Sequence, residues 1–343
     1  MAVTLSIVMP VFNHPDLVQV MVESIRANDF QEWELWAVDD GSSEECVQLL
    51  AEKFSVDSRI HYVKRDCQPK GAQTCRNIGL EKARGEFILF LDSDDKIEPF
   101  CLGGRIEALR KRPEMDFMVF PSGVIVENHF TLQVQKYMYG FPLYRDDLDS
   151  FARRILPFVV WNNLYRTDSL RKAGVLWDTN LKSLQDADFN LQTMFAGLRY
   201  AYAQCPPDMG YRIDASSSST SKKVYSGEHQ ESILYAIDKF YRMYQSRFGH
   251  RYDYQLYRGV LYLYNFVMTD GMIPDFAEKM SSVVLRYSWF YGRVMKSQIW
   301  ITSVLQFFMP SKRARQIPMA GHLIDYGRRM KAKKRKIIKL LAR

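Results

Sequence analysis

The chain opens on an apolar run that does not alternate with polar residues, and comparable runs return three times within the first hundred positions. Residues 5–12 read LSIVMPVF, 33–42 WELWAVDDGS, 60–65 IHYVKR and 87–95 FILFLDSDD. A strand with one wet face alternates apolar and polar side chains; a strand covered on both faces does not. Helical spacing fills the gaps: 17–27, with Leu17, Val20, Met21, Ser24 and Ile25 on one side, then 44–54 and 71–84. Strand, helix, strand, helix with unalternated strands implies βαβ units, hence an α/β, Rossmann-like, mostly parallel sheet with helices on both faces. Ligands of such sheets sit at the carboxyl ends of the strands. Asn13, Asp39–Asp40 and the trio Asp92, Asp94, Asp95 fall at three of those ends, so they are expected to converge on one crevice.

Beyond this region, 116–128 suggests one or two strands and 135–150 an irregular loop. Residues 184–197 read as a helix with Phe189, Leu191, Met194 and Phe195 apolar and Gly197 suited to its C-terminal cap. A Ser-rich stretch over 212–223 marks the end of the first domain. Segments 228–244 and 252–268 read as aromatic-rich helices, and 276–309 as one or two more. The expected division is therefore 1–220, a helical extension over 221–310, and a tail over 311–343.

The net charge of +8 belongs to the tail. Residues 311–343 hold 12 of the 47 Lys and Arg and one of the 39 acids, Asp325, leaving 35 basic against 38 acidic residues elsewhere. Between the cations stand Met319, Leu323, Ile324, Met330, Ile337, Ile338, Leu340 and Leu341. That pattern fits a basic amphipathic helix on an anionic lipid surface, with a solubilising tail as the plain alternative. No nucleic-acid fold signature accompanies it, so no nucleic-acid partner is expected. The five scattered cysteines form no CxxC pair, which points to a reducing compartment rather than a disulfide framework or zinc site. The start lacks a basic n-region and is broken by Pro10, so it reads as a strand and not a signal peptide. No apolar stretch has the length of a spanning helix.

Four clusters carry chemistry. Asp92-Ser93-Asp94-Asp95 places hard oxygen ligands at a strand end, suited to Mg²⁺ or Mn²⁺ shared with phosphates and water; an acidic solvated turn is the alternative. Asp39-Asp40-Gly41-Ser42-Ser43 reads as an Asx turn into a helix capped by Ser42 or Ser43. A carboxylate there that accepts from an imide N–H would favour uracil over cytosine. Arg76 is a charge partner for a diphosphate, if one is near. Gln185-Asp186-Ala187-Asp188 sets two acids at i and i+2, pointing in different directions. Each suits the helix dipole, and either one facing the crevice is a general base; spacing does not choose between them.

In order and spacing these elements resemble family 2 glycosyltransferases of the GT-A fold, over about residues 4 to 220. SIVMPVFN resembles the family's opening strand and PVYN signature, with Phe12 for the usual Tyr. VDDGSSE matches its VDDGS element, GAQTCRNIGL its GxxxARNxG helix with Cys75 for Ala, and FLDSDD its DxD. WNNLYRTDSL, QDADFNL, and Tyr211-Arg212 followed by Ser216 to Thr220 are similar to the bacterial capsule and lipopolysaccharide branch, where a Glu-Asp pair usually stands in place of Gln185-Asp186.

The resemblance implies a metal-dependent, inverting hexosyltransferase. It would move a sugar from a nucleotide-sugar, a UDP-sugar first, to a hydroxyl of a glycan or lipid-linked acceptor in cell-surface polysaccharide assembly. By position it implies Pro10, Val11 and Phe12 around the base, Asp39 on the uracil with Asp40 second, and Arg76 at the diphosphate. It further implies Asp92 near the ribose with Ser93 beside it, Asp94 on Mn²⁺ or Mg²⁺, and Asp186 as base. The expected location is the cytoplasmic, inner face of the cell membrane, peripherally bound through the tail. One rival, a sugar nucleotidyltransferase, needs a Gly- and Lys-rich loop after the first strand, which MPVFNHPD does not offer. The other, an inactive assembly partner, sits badly with an intact DxD and Asp186.

Overall fold

The computed structural model describes residues 3–126, 129–133, 138–144, 146–213, 226–268 and 275–308, together with Lys331 and Arg335. The Ser-rich stretch after Ile213 and nearly all of the basic tail therefore lie outside the described residues.

The first ninety residues alternate as their pattern implies: β1 (Leu5–Val11), α1 (Pro15–Arg26), β2 (Trp33–Asp39), α2 (Glu44–Ser55), β3 (Ile60–Lys64), α3 (Ala72–Lys82) and β4 (Phe87–Phe90). There follow β5 (Lys96–Ile97), α4 (Cys101–Arg110), β6 (Phe117–Val119), β7 (Gly123–Val126), β8 (His129–Thr131), α5 (Asp147–Ala152), β9 (Asn163–Arg166), α6 (Thr167–Ala173), α7 (Gln185–Phe195), β10 (Tyr200–Tyr202) and β11 (Met209–Arg212). The main sheet has the order β10-β6-β9-β4-β1-β2-β3. Every strand in it is parallel except β9, which runs against both of its neighbours. A second, small sheet, β5-β11-β7-β8, was not foreseen.

The lack of alternation has the expected cause. Val8, Ile88 and Phe90 face one apolar core, whereas Ile7, Met9 and Leu89 face another on the opposite side of the sheet. The first core continues through α8 (Gly227–Phe248), α9 (Asp253–Met268), α10 (Phe276–Tyr287) and α11 (Trp289–Phe308), so the aromatic helices pack on the sheet.

Two expectations about local structure change. In α1 the buried stripe is Val18, Met21, Val22 and Ile25, while Val20 is exposed. The i, i+3, i+4, i+7 set starting at 18 is the better apolar stripe, and it wins over the one starting at 17. The loop expected over 135–150 ends in α5, because Asp146 caps it by accepting the Leu148 N–H at 2.9 Å.

One buried ion pair ties the sheets together. Arg105 of α4 meets Asp208 through two bonds of 2.7 and 2.6 Å and donates to the Trp161 carbonyl at 2.8 Å. Its side chain is wholly buried. Asp208 in turn accepts the Glu98 N–H through its carbonyl, which holds the start of β11 beside β5. No helix among the described residues is long and apolar enough to cross a membrane.

Candidate active site

The ends of β1 and β2 are laced together by their own turn residues. The Val11 carbonyl accepts the Asp40 N–H at 2.8 Å. Asn13, in the left-handed region at φ 55°, donates its N–H to Ser42 Oγ and accepts the Ser43 N–H on Oδ1. Ser43 caps α2 by accepting from the Cys46 N–H. Asp39 forms the Asx turn: Oδ1 accepts the N–H groups of Gly41 and Ser42, and Oδ2 accepts the Tyr62 hydroxyl at 2.9 Å. Both of its oxygens are thus committed to the fold. Asp40 uses Oδ1 for Arg65 Nε at 2.8 Å, the Gly71 N–H at 2.9 Å and the Cys75 thiol at 3.7 Å, while Oδ2 takes part in none of these bonds. Burial and the Asp40 charge push the Cys75 thiol up to about 12, so it remains a donor. Cys75, standing where alanine was expected, therefore helps to hold Asp40.

Strand geometry corrects the expected base pocket. Val11 turns its side chain into the core and is fully buried, so it cannot line a pocket. Pro10 is half-buried, and Phe12 is 42 % exposed. Lys70 Nζ lies 3.9 Å from the Phe12 ring centroid, a cation that no sequence motif singles out.

The end of β4 answers why three carboxylates follow an apolar strand: each has a different environment. Asp92 is half-exposed and pairs with Arg76 Nη2 at 2.5 Å. Asp94 is exposed, and its carbonyl accepts Arg212 Nε at 2.7 Å. Asp95 is buried; Oδ1 accepts the Arg212 N–H and Oδ2 has no partner among the described residues. Burial, with the charges of Asp94 and Asp92, raises its pKa well above the ordinary carboxylate range. Asp95 thus fastens β11, whereas Asp92, Ser93 and Asp94 remain in contact with solvent.

Arg76 joins this loop to α7. It donates Nη1 to Gln185 Oε1 at 3.3 Å, lies over the Trp177 ring at 4.3 Å, and keeps a buried Nε without a hydrogen-bond partner among the described residues. Its helix sits close because Gly79 rests on β1: a Cβ there would come within 2.3 Å of Val8 Cγ1. Asn77 clamps the backbone of Trp177 with two bonds of 2.9 Å.

The two acids of α7 diverge as their spacing requires. Asp188 is buried and bonded to Lys239 and Gln192, so its role is structural. Asp186 is half-buried, and its carboxylate takes part in no hydrogen bond among the described residues. Burial pushes its pKa up to about 6; the charges of Arg76 and Arg154 pull it down and Asp92 pushes it up. No sequence motif singles out Arg154. It has a left-handed backbone at φ 60°, its Nε and Nη1 are buried without partners among the described residues, and burial lowers its pKa to about 10. Its signal, two adjacent arginines ahead of an apolar run, is too common to single out.

No group of three or more His, Cys, Asp or Glu converges as a metal cluster among the described residues. A hard cation completed by phosphates and water needs only one or two carboxylates, and accessible Asp94 with Asp92 fits that donor set; Asp95 does not.

A mostly parallel sheet whose strand ends gather a DxD turn, an arginine and a helix-borne carboxylate defines a GT-A-type glycosyltransferase fold. The crystal structure of Staphylococcus aureus TarS 1–349 in complex with UDP-GlcNAc superposes on it with a TM-score of 0.66 at 17 % identity, covering 96 % of this chain and 90 % of that one. Residues 6–174 match the family model for glycosyl transferase family 2, so this part of the chain is a family 2 glycosyltransferase domain. Among its relatives are TuaG of Bacillus subtilis, named for teichuronic acid biosynthesis (34 % identical over 31 % of this chain), and a GalNAc(5)-diNAcBac-PP-undecaprenol β-1,3-glucosyltransferase of Campylobacter jejuni (32 % identical over 32 %). Another is the S. aureus poly(ribitol-phosphate) β-N-acetylglucosaminyltransferase TarS, 23 % identical over 69 % of the chain. The matched regions span 42 %, 34 % and 39 % of the lengths of these relatives.

Proposed function

We propose that the chain transfers a sugar from a UDP-sugar to a hydroxyl of a glycan or lipid-linked acceptor, with inversion, in the assembly of a cell-surface polysaccharide. The observation that carries this reading is the link Asp92–Arg76–Gln185, which ties the DxD turn to the residue preceding Asp186. The names of the relatives and the UDP-GlcNAc bound to TarS support the donor and pathway class.

In this reading Asp40, whose Oδ2 accepts no hydrogen bond among the described residues, takes the uracil imide N–H rather than Asp39, and Phe12 and Lys70 flank the base. Asp92 meets the ribose, with Ser93 beside it. Arg76 exchanges part of its contact with Asp92 for the donor's diphosphate. Asp94, with Asp92 nearby, would hold Mg²⁺ or Mn²⁺, which when bound supplies charge neutralisation on the leaving diphosphate. Asp186 accepts the acceptor's hydroxyl proton as that oxygen bonds to the anomeric carbon. The bond to the UDP oxygen breaks on the opposite face, and the electron pair leaves with UDP. A carboxylate with a pKa near 6 is ionised at neutral pH yet a stronger base than an exposed aspartate. The division at 220 and at 310, and an inner-membrane location through the basic tail, belong to the same proposal.

The test is a panel of UDP- and GDP-sugars with glycan and lipid-linked acceptors, reading product by mass and released nucleotide. UDP release dependent on acceptor supports the reading. Turnover of GDP-sugars alone would move the base assignment elsewhere.

A further inference from the structure

No described residue covers one face of α11. Trp289, Arg293, Lys296 and Trp300 recur at spacings of four, three and four residues, and all are exposed. Trp289 and Trp300 are each 68 % exposed, Phe290 61 % and Ile301 44 %. The opposite face is firmly packed. Met295 is fully buried, Tyr291 stacks on Tyr257 of α9 at 5.0 Å, and Gln298 accepts the Tyr257 hydroxyl at 2.6 Å. Gly292 lets the helix approach α10 so closely that a Cβ would lie 2.4 Å from the Leu285 Cα. The exposed rings therefore stand on a fixed element.

Large aromatics exposed at both ends of a helical stripe, with cations between them, mark a surface meant for a partner. Three occupants are conceivable, and charge separates them. α11 carries Arg293 and Lys296 and no acid, and residues 311–343 add a net +11. The tail is thus a poor electrostatic match as a cover. A two-fold copy would bring the same cations face to face. An anionic bilayer satisfies both halves of the face: indole rings favour the headgroup level, and cations meet lipid phosphates.

We propose that the Trp289–Trp300 face of α11 is a docking surface for an anionic membrane, with the helix lying in the interface plane. The proposal rests on the reading above that the chain works at a membrane, and it moves part of the contact from the tail to the folded body.

The experiment is co-sedimentation of the full chain with phosphatidylcholine vesicles with and without phosphatidylglycerol, alongside tryptophan fluorescence and acceptor-independent UDP-sugar hydrolysis. The variants are Trp289→Ser/Trp300→Ser and Arg293→Gln/Lys296→Gln. Binding selective for the anionic vesicles, weakened about tenfold or more in each double variant with hydrolysis unchanged, is expected. Binding undiminished in both variants would assign the contact to the tail alone and overturn the inference. A wild-type dimer that the tryptophan variant dissociates, without vesicle binding, would also overturn it and make the face a self-interface. Hydrolysis absent in every protein while vesicle binding depends on the tryptophans would leave the docking surface standing and remove the transferase reading instead.

Discussion

Replacing Asp186 by Asn should abolish transfer and stabilise the fold, two effects that follow from one environment. The carboxylate's pKa rises from 3.8 to about 6 because burial penalises its charge more than Arg76 and Arg154 relieve it. That rise corresponds to at most about 3 kcal/mol of bias toward the protonated form, and to less where water screens the half-buried carboxylate. The sign follows directly: the folded state holds this proton more tightly than the unfolded chain does. The group's favourable contribution is complete below pH ~4 and is lost as pH rises through about 6. Above that pH the ionised group is a cost, and Asn removes it. The urea midpoint of Asp186→Asn should exceed that of the wild type at pH 8 by an amount worth about 1–3 kcal/mol, and the difference should shrink as pH falls and vanish only below pH ~4. Over the same range kcat/KM of the wild type should fall about tenfold per pH unit below 6, and the variant should lose about 10²- to 10⁴-fold in kcat. Transfer by the variant within tenfold of wild type would refute the base assignment. A variant less stable than wild type at pH 8 would refute the electrostatic account of the site.

Further outcomes can be measured with the same protein. Asp94→Asn should lower transfer by about a hundredfold or more and abolish any stimulation by Mn²⁺, because it removes the accessible oxygen ligand of the DxD turn; undiminished product would move the metal site elsewhere. Gly79→Ala should cost about 1–3 kcal/mol in urea unfolding, since the added methyl falls 2.3 Å from Val8 Cγ1. Asp208→Ala should cost about 3–5 kcal/mol, because it strands the wholly buried Arg105; a change under about 1 kcal/mol would show that water or a neighbour satisfies that cation.

What was legible in the sequence follows the reach of each interaction. The first four strands and three helices could be read because burial on both faces suppresses alternation locally, and turn residues such as Asn13 and Gly41 mark the strand ends. That Asn13, Asp40 and Asp92 would gather also followed, because βαβ connection places all parallel strand ends on one side. Which aspartate faces the ligand did not, since it depends on partners far along the chain: Tyr62 on Asp39, Arg212 on Asp95 and Lys239 on Asp188. Arg154 and Lys70 stayed hidden for the same reason. The motif groups Val11 with Pro10 and Phe12, but strand alternation turns its side chain into the core with Ile7 and Met9. β5 and β11 are too short, and too dependent on the Asp208 and Asp95 bonds, to carry a pattern of their own.

The central claim is that the DxD turn and the ends of β1 and β2 form one site for a uridine diphosphate and a divalent ion. Calorimetric titration of UDP, with GDP as the comparison, in the presence and absence of Mn²⁺ tests it most directly. UDP should bind more tightly than GDP, and Mn²⁺ should strengthen UDP binding about tenfold or more. If neither nucleotide binds with or without the ion, the carboxylates of this turn serve only the fold, and the proposed transfer chemistry fails with them.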